Sequence, residues 1–209
     1  MLDSRARRVL AGPLDTVAGL LDRPGITPNR ITVVGLVIGL AAAGAAGQAW
    51  WWIALVLWLG SRLLDGLDGP LARRRGVADS GAGGFLDIMA DFTVYGSFVI
   101  GVGIGSGQSL VPFLLVLLAY YLNGSAFLAF SSIAERTGKR IDDGRSLSFF
   151  GGLAEGTETI VVHSLWCIVP AYASGIAWVW AVVVLVGATQ RIVGGYRTLR
   201  EPMRGTVTP

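Results

Sequence analysis

Six stretches of this chain are apolar for long enough to cross a lipid bilayer, and the breaks between them are short. They run at about 31–49, 50–72, 84–105, 109–133, 150–172 and 176–197. A helix needs roughly 20 residues to cross the ~30 Å hydrocarbon layer, so the pattern predicts an all-α integral membrane protein with six transmembrane helices. The separators are GAAGQ at 44–48, the arginine run at 73–75, GIGSGQS at 103–109, ERTGKRIDDGRS at 135–146 and ASG at 173–175. None is long enough for a second domain, and no repeat of fixed period interrupts the series. Charged residues make up 15% of the chain, against about 25% in an ordinary soluble domain. The single cysteine, Cys167, permits no intrachain disulfide.

Cations sort cleanly between the two sides. Arg5, Arg7, Arg8, Arg23 and Arg30 precede the first span; Arg62, Arg73, Arg74 and Arg75 lie near the end of the second. Arg136, Lys139, Arg140 and Arg145 follow the fourth, and Arg191, Arg197, Arg200 and Arg204 close the chain. The breaks after spans 1, 3 and 5 hold none, so the positive-inside rule puts both termini on the cytoplasmic side. All 14 acidic residues fall on the same half, which places the chemistry there too. Residues 1–30 lack the form of a cleavable signal peptide. Within them, Leu2, Val9, Leu10, Leu14, Val17 and Leu21 recur near helical spacing, with Arg5, Arg7, Arg8 and Asp15 elsewhere. That pattern predicts an N-terminal amphipathic interfacial helix, bent at Gly12-Pro13. The expected organisation is a juxtamembrane segment at 1–30, a six-helix catalytic domain at 31–200 and a cytoplasmic tail at 201–209. A net charge of +3 suits anionic headgroups, and nothing in the sequence has the basic-aromatic interleaving of nucleic-acid binders.

Against this background the segment DGLDGPLARRRGVADSGAGGFLDIMAD, at 65–91, stands out. A carboxylate near the bilayer centre costs at least ~2.5–3.5 kcal/mol, which makes intramembrane acids functional candidates. Asp65 and Asp68 share a helix face, as do Asp87 and Asp91. Their two helices are joined by a short break and run antiparallel, so the acidic faces can point at one site. Converging carboxylates repel unless a cation sits among them. All-oxygen ligands suit Mg²⁺, Mn²⁺ or Ca²⁺ rather than zinc. Gly66, Gly69 and Ala72 strip bulk from the face beside Asp65 and Asp68, which lets a ligand or a helix approach the backbone. Arg73 is placed at headgroup level to meet phosphate oxygens. Metal, small backbone and arginine together describe a diphosphate site for phosphoryl transfer.

The pattern Asp65-x-x-Asp68-Gly69-x-x-Ala72-Arg73, nine residues, then Gly83-x-x-x-Asp87-x-x-x-Asp91 resembles the signature of the CDP-alcohol phosphotransferase (CDP-alcohol phosphatidyltransferase) family. Thr27-Pro28-Asn29-x-x-Thr32 resembles a further family segment near the nucleotide. The resemblance implies that Asp65, Asp68, Asp87 and Asp91 ligate Mg²⁺ or Mn²⁺, two ions per site. It makes Asp87 and Asp91 the catalytic acids, with Asp91 as general base on the acceptor hydroxyl. Asn29, Thr32, Gly69, Ala72, Arg73 and Gly83 would hold the cytidine diphosphate part. The implied reaction moves a phosphatidyl group from CDP-diacylglycerol to a small polar alcohol of the inositol phosphate, glycerol phosphate or serine class, with release of CMP. The implied assembly is a homodimer.

Alternatives are CDP-linked headgroup transfer to a diacylglycerol-type lipid, intramembrane prenyl transfer, and a non-enzymatic divalent-cation carrier. Prenyl transfer fits poorly in motif spacing and chain length. A carrier needs polar residues across the membrane, whereas here they stop near one end apart from His163. For the acceptor, Glu155 and Glu158 in span 5 and Arg145 and Arg191 are candidates; the same residues are also read as paired structural acids and snorkelling anchors. Arg62 is a candidate partner for Asp65, His163 a packing residue, and the tryptophans mostly interfacial. Arginine accounts for all but one of 17 basic residues, which suggests a GC-rich genome and a bacterial inner membrane.

Overall fold

The computed structural model describes residues 2–76, 81–138 and 156–200. Among the described residues seven α-helices form, in chain order: α1 Leu2–Leu21, α2 Pro28–Gly47, α3 Trp51–Arg74, α4 Ala82–Gly105, α5 Val111–Arg136, α6 Gly156–Ile168 and α7 Ala173–Arg200. A 3₁₀ turn at Pro170–Tyr172 links the last two. Helices α2 to α7 overlap in position with the six apolar stretches. Among the described residues four helical stretches are long and apolar enough to cross a membrane: α2, α4, α5 and Pro170–Arg200. Helix α3 is equally long, but its own Arg62, Asp65, Asp68, Arg73 and Arg74 lower its apolar character. Among the described residues α6 has 13. Side chains facing outward are those of a lipid-exposed bundle: Val33, Val37 and Leu40 on α2, Val56 and Leu63 on α3, Ile100 and Ile104 on α4, Val179 and Val182 on α7. The protein is an integral membrane protein.

Helix α2 packs on both α3 and α4, and α5 packs on α7, while α6 sits against α3 and α7. The α2–α4 seam is built from small residues. Ala42, Ala43, Ala45 and Ala46 of α2 are buried, and a Cβ on Gly101 of α4 would stand 2.9 Å from the Ala43 carbonyl carbon. Backbones that close exchange dispersion over a long contact, which is how helices associate where no hydrophobic drive separates protein from lipid. The two helices run parallel, so the start of α2 lies beside the start of α4.

The bundle centre holds Trp58, Phe98 and Trp166, all fully buried, around His163. The His163 ring stacks on Phe98 and Trp166 and tilts against Trp58 at 4.7 Å. Tyr120 Oη lies 2.9 Å from His163 Nε2 and accepts from Trp180 Nε1 at 2.7 Å. His163 is therefore a packed core residue, as the sequence suggests. Trp50, Trp51 and Trp52 cluster at the start of α3, and Trp50, Trp52 and Trp178 are exposed, as the sequence suggests, whereas Trp58, Trp166 and Trp180 are buried in the core.

One correction concerns the break before the last span. Ala173, Ser174 and Gly175 are the first turn of α7, not a loop; the chain turns earlier, at Val169–Tyr172. Pro170 cannot donate to the preceding turn, so α6 ends there. The freed groups are collected by Gln108, whose Nε2 donates to the Pro170 carbonyl at 2.9 Å and whose Oε1 accepts from Ser174 N at 2.9 Å.

Helix α1 is continuous through Pro13. Leu14, Ala18 and Leu21 pack with Ile31, Leu64, Leu67 and Leu71 in a small second core. Two ion pairs fasten it to the end of α3: Arg74 Nη2 to Asp15 Oδ2 at 2.6 Å, and Arg75 Nε to Asp22 Oδ1 at 2.7 Å. Arg74 and Arg75, which close the motif helix, thus staple α1.

Candidate active site

The site lies where α2 begins, α3 ends and α4 begins. Thr27 opens α2 in extended backbone, with its hydroxyl accepting from Arg30 N and Pro28 in the first turn. This start puts Asn29 and Thr32 at the helix end. Thr32 is buried, and its hydroxyl donates to Asp68 Oδ2 at 2.7 Å, tying α2 to α3. Asn29 is brought to α4: a Cβ on Gly83 would stand 3.4 Å from Asn29 Oδ1. The two sequence segments, fifty residues apart, therefore meet at one place. At the N-cap of α4, Gly81 adopts φ 76°, a left-handed conformation that favours glycine.

The carboxylates of α3 and α4 also meet. Asp65 is close enough to Asp91, and Asp87 to both Asp68 and Asp91, to interact electrostatically. Among them stands Arg62, 7% exposed. Its Nη1 donates to Asp91 Oδ1 at 2.6 Å and lies 3.7 Å from Asp65 Oδ2. The expected pairing with Asp65 is present, and Asp91, across the helix pair, is the tighter partner. One turn earlier on the helix would place the guanidinium beside Asp65, but the antiparallel approach of α4 brings Asp91 nearer.

A Cβ on Gly66 would stand 3.5 Å from Leu14 Cδ1, so at this glycine it is helix α1 that comes close. Gly69 and Ala72 are half-buried on the same face of α3, and Arg73 is exposed, its Nη1 folded back toward Gly69. Arg191 is 8% exposed and donates to Asn123 Oδ1 at 2.7 Å, which places it inside the α5–α7 pair and excludes a snorkelling role. Glu158 has a buried Oε2 without a hydrogen-bond partner. It pairs with neither Arg62 nor any other described cation. Arg145 and Glu155 lie outside the described residues, as does the tail at 201–209. The residue that sequence reasoning undervalued is Arg62. Its signal was available: an arginine in a span, one turn from a motif aspartate.

Among the described residues no three acidic side chains enclose an ion as they stand; Asp91 is turned to Arg62 and Asp68 to Thr32. The donor set nevertheless fits a hard divalent cation. It is all carboxylate and hydroxyl, with histidine and cysteine buried elsewhere in the core. Among the described residues Arg62 is the guanidinium paired to these carboxylates, and one positive charge does not balance four carboxylates in a low-dielectric site, which suits the binding of a further cation.

Comparison with known proteins agrees with the geometry. The chain is 39% identical over 209 residues to the inner membrane protein YnjF of Escherichia coli K12, covering 98% of this chain and all of that one. It is 32% identical over 171 residues to the archaetidylinositol phosphate synthase of Pyrococcus horikoshii, covering 77% of this chain and 89% of the other. Its fold matches the phosphatidylinositol phosphate synthase of Mycobacterium tuberculosis at 21% identity, solved with CDP-DAG bound (TM-score 0.70, 88% of this chain, 93% of that one). The same enzyme in complex with manganese and citrate matches with TM-score 0.72, over 92% and 96% of the two chains. The CDP-alcohol phosphatidyltransferase profile matches residues 25–187, from the start of α2 into α7 and across every motif position. The chain is an enzyme that belongs to the CDP-alcohol phosphatidyltransferase family.

Proposed function

We propose that the protein transfers a phosphatidyl group from CDP-diacylglycerol to an inositol phosphate, releasing CMP, in phospholipid synthesis. The observation that carries this reading is the meeting of three helix ends, with Asn29 against Gly83 and Thr32 on Asp68, beside the Asp65–Asp91 cluster. Asn29, Thr32, Gly69, Ala72, Arg73 and Gly83 line the place for the cytidine diphosphate. Asp65, Asp68, Asp87 and Asp91 hold Mg²⁺ or Mn²⁺, two ions per site. The ions supply charge neutralisation for the diphosphate and the departing CMP. Asp91 takes the proton of the acceptor hydroxyl; an alcohol is a weak nucleophile and needs a carboxylate within hydrogen-bond reach.

The choice of inositol phosphate rests on the archaetidylinositol phosphate synthase and on Arg191, a cation buried beside Asn123 and suited to a phosphorylated acceptor. Glu158 shares the acceptor side, and Arg145 and Glu155 complete that candidate set. Six helices, α2 to α7, span the membrane, with α1 as an amphipathic interfacial helix. The segments are the juxtamembrane part at 1–30, the catalytic bundle at 31–200 and the tail at 201–209. The arginine distribution supports cytoplasmic termini and a cytoplasmic active site in a bacterial inner membrane. The working unit is a homodimer.

The test is CMP release with Mg²⁺ or Mn²⁺, from CDP-diacylglycerol against inositol phosphate, glycerol phosphate and serine, and from a CDP-linked headgroup against diacylglycerol. Turnover with inositol phosphate is expected; turnover only with serine or with diacylglycerol as acceptor refutes the assignment. Asp91→Asn is expected to abolish release in a protein with unchanged thermal unfolding, and retained turnover removes Asp91 from the role of base.

A further inference from the structure

Arg62 is an arginine inside a membrane helix, and that position is costly unless its contacts compensate for lost water. The contacts come from three elements. Its Nη2 donates to Ser61 Oγ at 3.1 Å, and Ser61 in turn donates to the Gly35 carbonyl of α2 at 2.7 Å. The guanidinium carbon lies 5.2 Å from the Trp58 ring centre and 4.8 Å from that of Tyr95 on α4. Trp58 and Tyr95 are themselves fixed by packing on His163 of α6. Its Nε is buried and has no hydrogen-bond partner. The guanidinium is therefore clamped from below and presents Nη1 upward, to Asp91 Oδ1 at 2.6 Å and toward Asp65 Oδ2 at 3.7 Å.

We infer that Arg62 is a built-in counter-cation of the acidic cluster, a positioning residue that holds Asp91 by one oxygen and opposes divalent-cation binding at Asp65 and Asp91. Both consequences follow from the geometry. With Oδ1 engaged by Nη1, Asp91 cannot rotate freely, and Oδ2 is left for a ligand. Orientation of this kind is a large part of what a fixed catalytic group contributes. A resident positive charge in the cluster also repels any ion that enters, in a medium where Coulomb forces are strong. The arrangement keeps the carboxylates compatible with a lipid environment before metal loads, and it limits how tightly metal is held afterwards.

The inference rests on the metal-dependent reading of the site, and its two effects have opposite signs. An arginine that only fills space would give neither. The test uses the full chain in nanodiscs, with Mn²⁺ titrated by electron paramagnetic resonance in the absence of CDP-lipid, and with CMP release measured separately. Arg62→Met is expected to tighten Mn²⁺ binding by about fivefold or more, by removal of the Coulomb opposition. Its kcat is expected to fall by about tenfold or more, with little change in KM for CDP-diacylglycerol, through loss of Asp91 orientation. Arg136→Met, which removes an exposed cation at the end of α5, should change neither.

Arg62→Lys keeps the charge but lacks the fork that reaches Ser61 and Asp91 together. It should bind Mn²⁺ like the wild type while kcat falls, and it serves if Arg62→Met does not fold. Unchanged or weaker Mn²⁺ binding in Arg62→Met overturns the inference, as does wild-type kcat in Arg62→Lys. If the wild type binds Mn²⁺ yet releases CMP with no acceptor, the proposed reaction fails while the Mn²⁺ comparison still decides on Arg62. A wild type that binds no Mn²⁺ overturns both.

Discussion

Replacing Gly101 with alanine drives a methyl group into a backbone carbonyl that no side-chain rotation can move. The new Cβ would stand 2.9 Å from the Ala43 carbonyl carbon and overlap its oxygen, and it would lie 3.2 Å from the Ala43 Cα. Ordinary contact begins at 3.4 Å, so the α2–α4 seam must open by roughly 1 Å, an overpacking that costs about 1–3 kcal/mol. Alanine recovers up to about 1 kcal/mol through its better helix propensity. A net loss of ~2 kcal/mol in a chain of this size lowers the unfolding midpoint by roughly 4–8 °C. The same opening shifts α2, which carries Asn29 and Thr32, against α4, which carries Gly83, Asp87 and Asp91. A displacement near 1 Å at a positioned site can reduce turnover by ~10²-fold. The assay is thermal unfolding in one fixed detergent, paired with CMP release. Gly44→Ala is the control: it lies on α2, is exposed and meets nothing within 4 Å, so it should unfold at or slightly above the wild-type midpoint. Equal midpoints for Gly101→Ala and Gly44→Ala would refute the close seam and its link to the site.

Tyr120→Phe leaves His163 Nε2 and Trp180 Nε1 without their shared hydroxyl. A buried unsatisfied group costs about 1–3 kcal/mol, so the unfolding midpoint should drop clearly while the KM values stay near wild type. Arg191→Gln removes a buried cation from Asn123, and is expected to raise KM for inositol phosphate by about tenfold or more, the scale of a lost charge-assisted contact. An unchanged KM would place the acceptor phosphate elsewhere. Asp15 lies on α1, outside the spans, where the hydrogen bond from Arg74 holds its carboxyl below the ordinary carboxylate range. A depressed folded-state value means the staple contributes fully above the unfolded pKa of about 4 and is lost as pH falls through the lower, folded one. Hydrogen exchange along α1 should therefore lose protection on acidification in the wild type, and Asp15→Asn should be less protected already at neutral pH.

The helical bundle was legible from hydropathy alone, because a bilayer admits few solutions for runs of 20 apolar residues. The site aspartates were legible because charge in such runs is costly and helical spacing puts Asp65 with Asp68 and Asp87 with Asp91 on common faces. Family membership followed from the same residues. Where the chain turned between α6 and α7 was misread, since ASG resembles a loop more than Val169-Pro170 does; the proline and Gln108 decided it. Which tryptophans leave the interface was not legible, because hydropathy does not tell a ring at the interface from a ring in the core. That distinction depends on which faces the small-residue seam brings together, and Trp58, Trp166 and Trp180 fell inside.

What sequence by itself determined is the set of groups: spans, cations, four carboxylates and the glycines that let backbones approach. Tertiary structure alone decided their pairing. Spacing along one helix offers Asp65 to Arg62, and only the packing of α4 against α3 makes Asp91 the nearer acid. In the same way the α2–α4 seam, not any local signal, brings Asn29 to Gly83. Local spacing is set by the helix repeat, whereas contacts between helices depend on how side-chain bulk is distributed over whole faces, and that is resolved only when the faces meet.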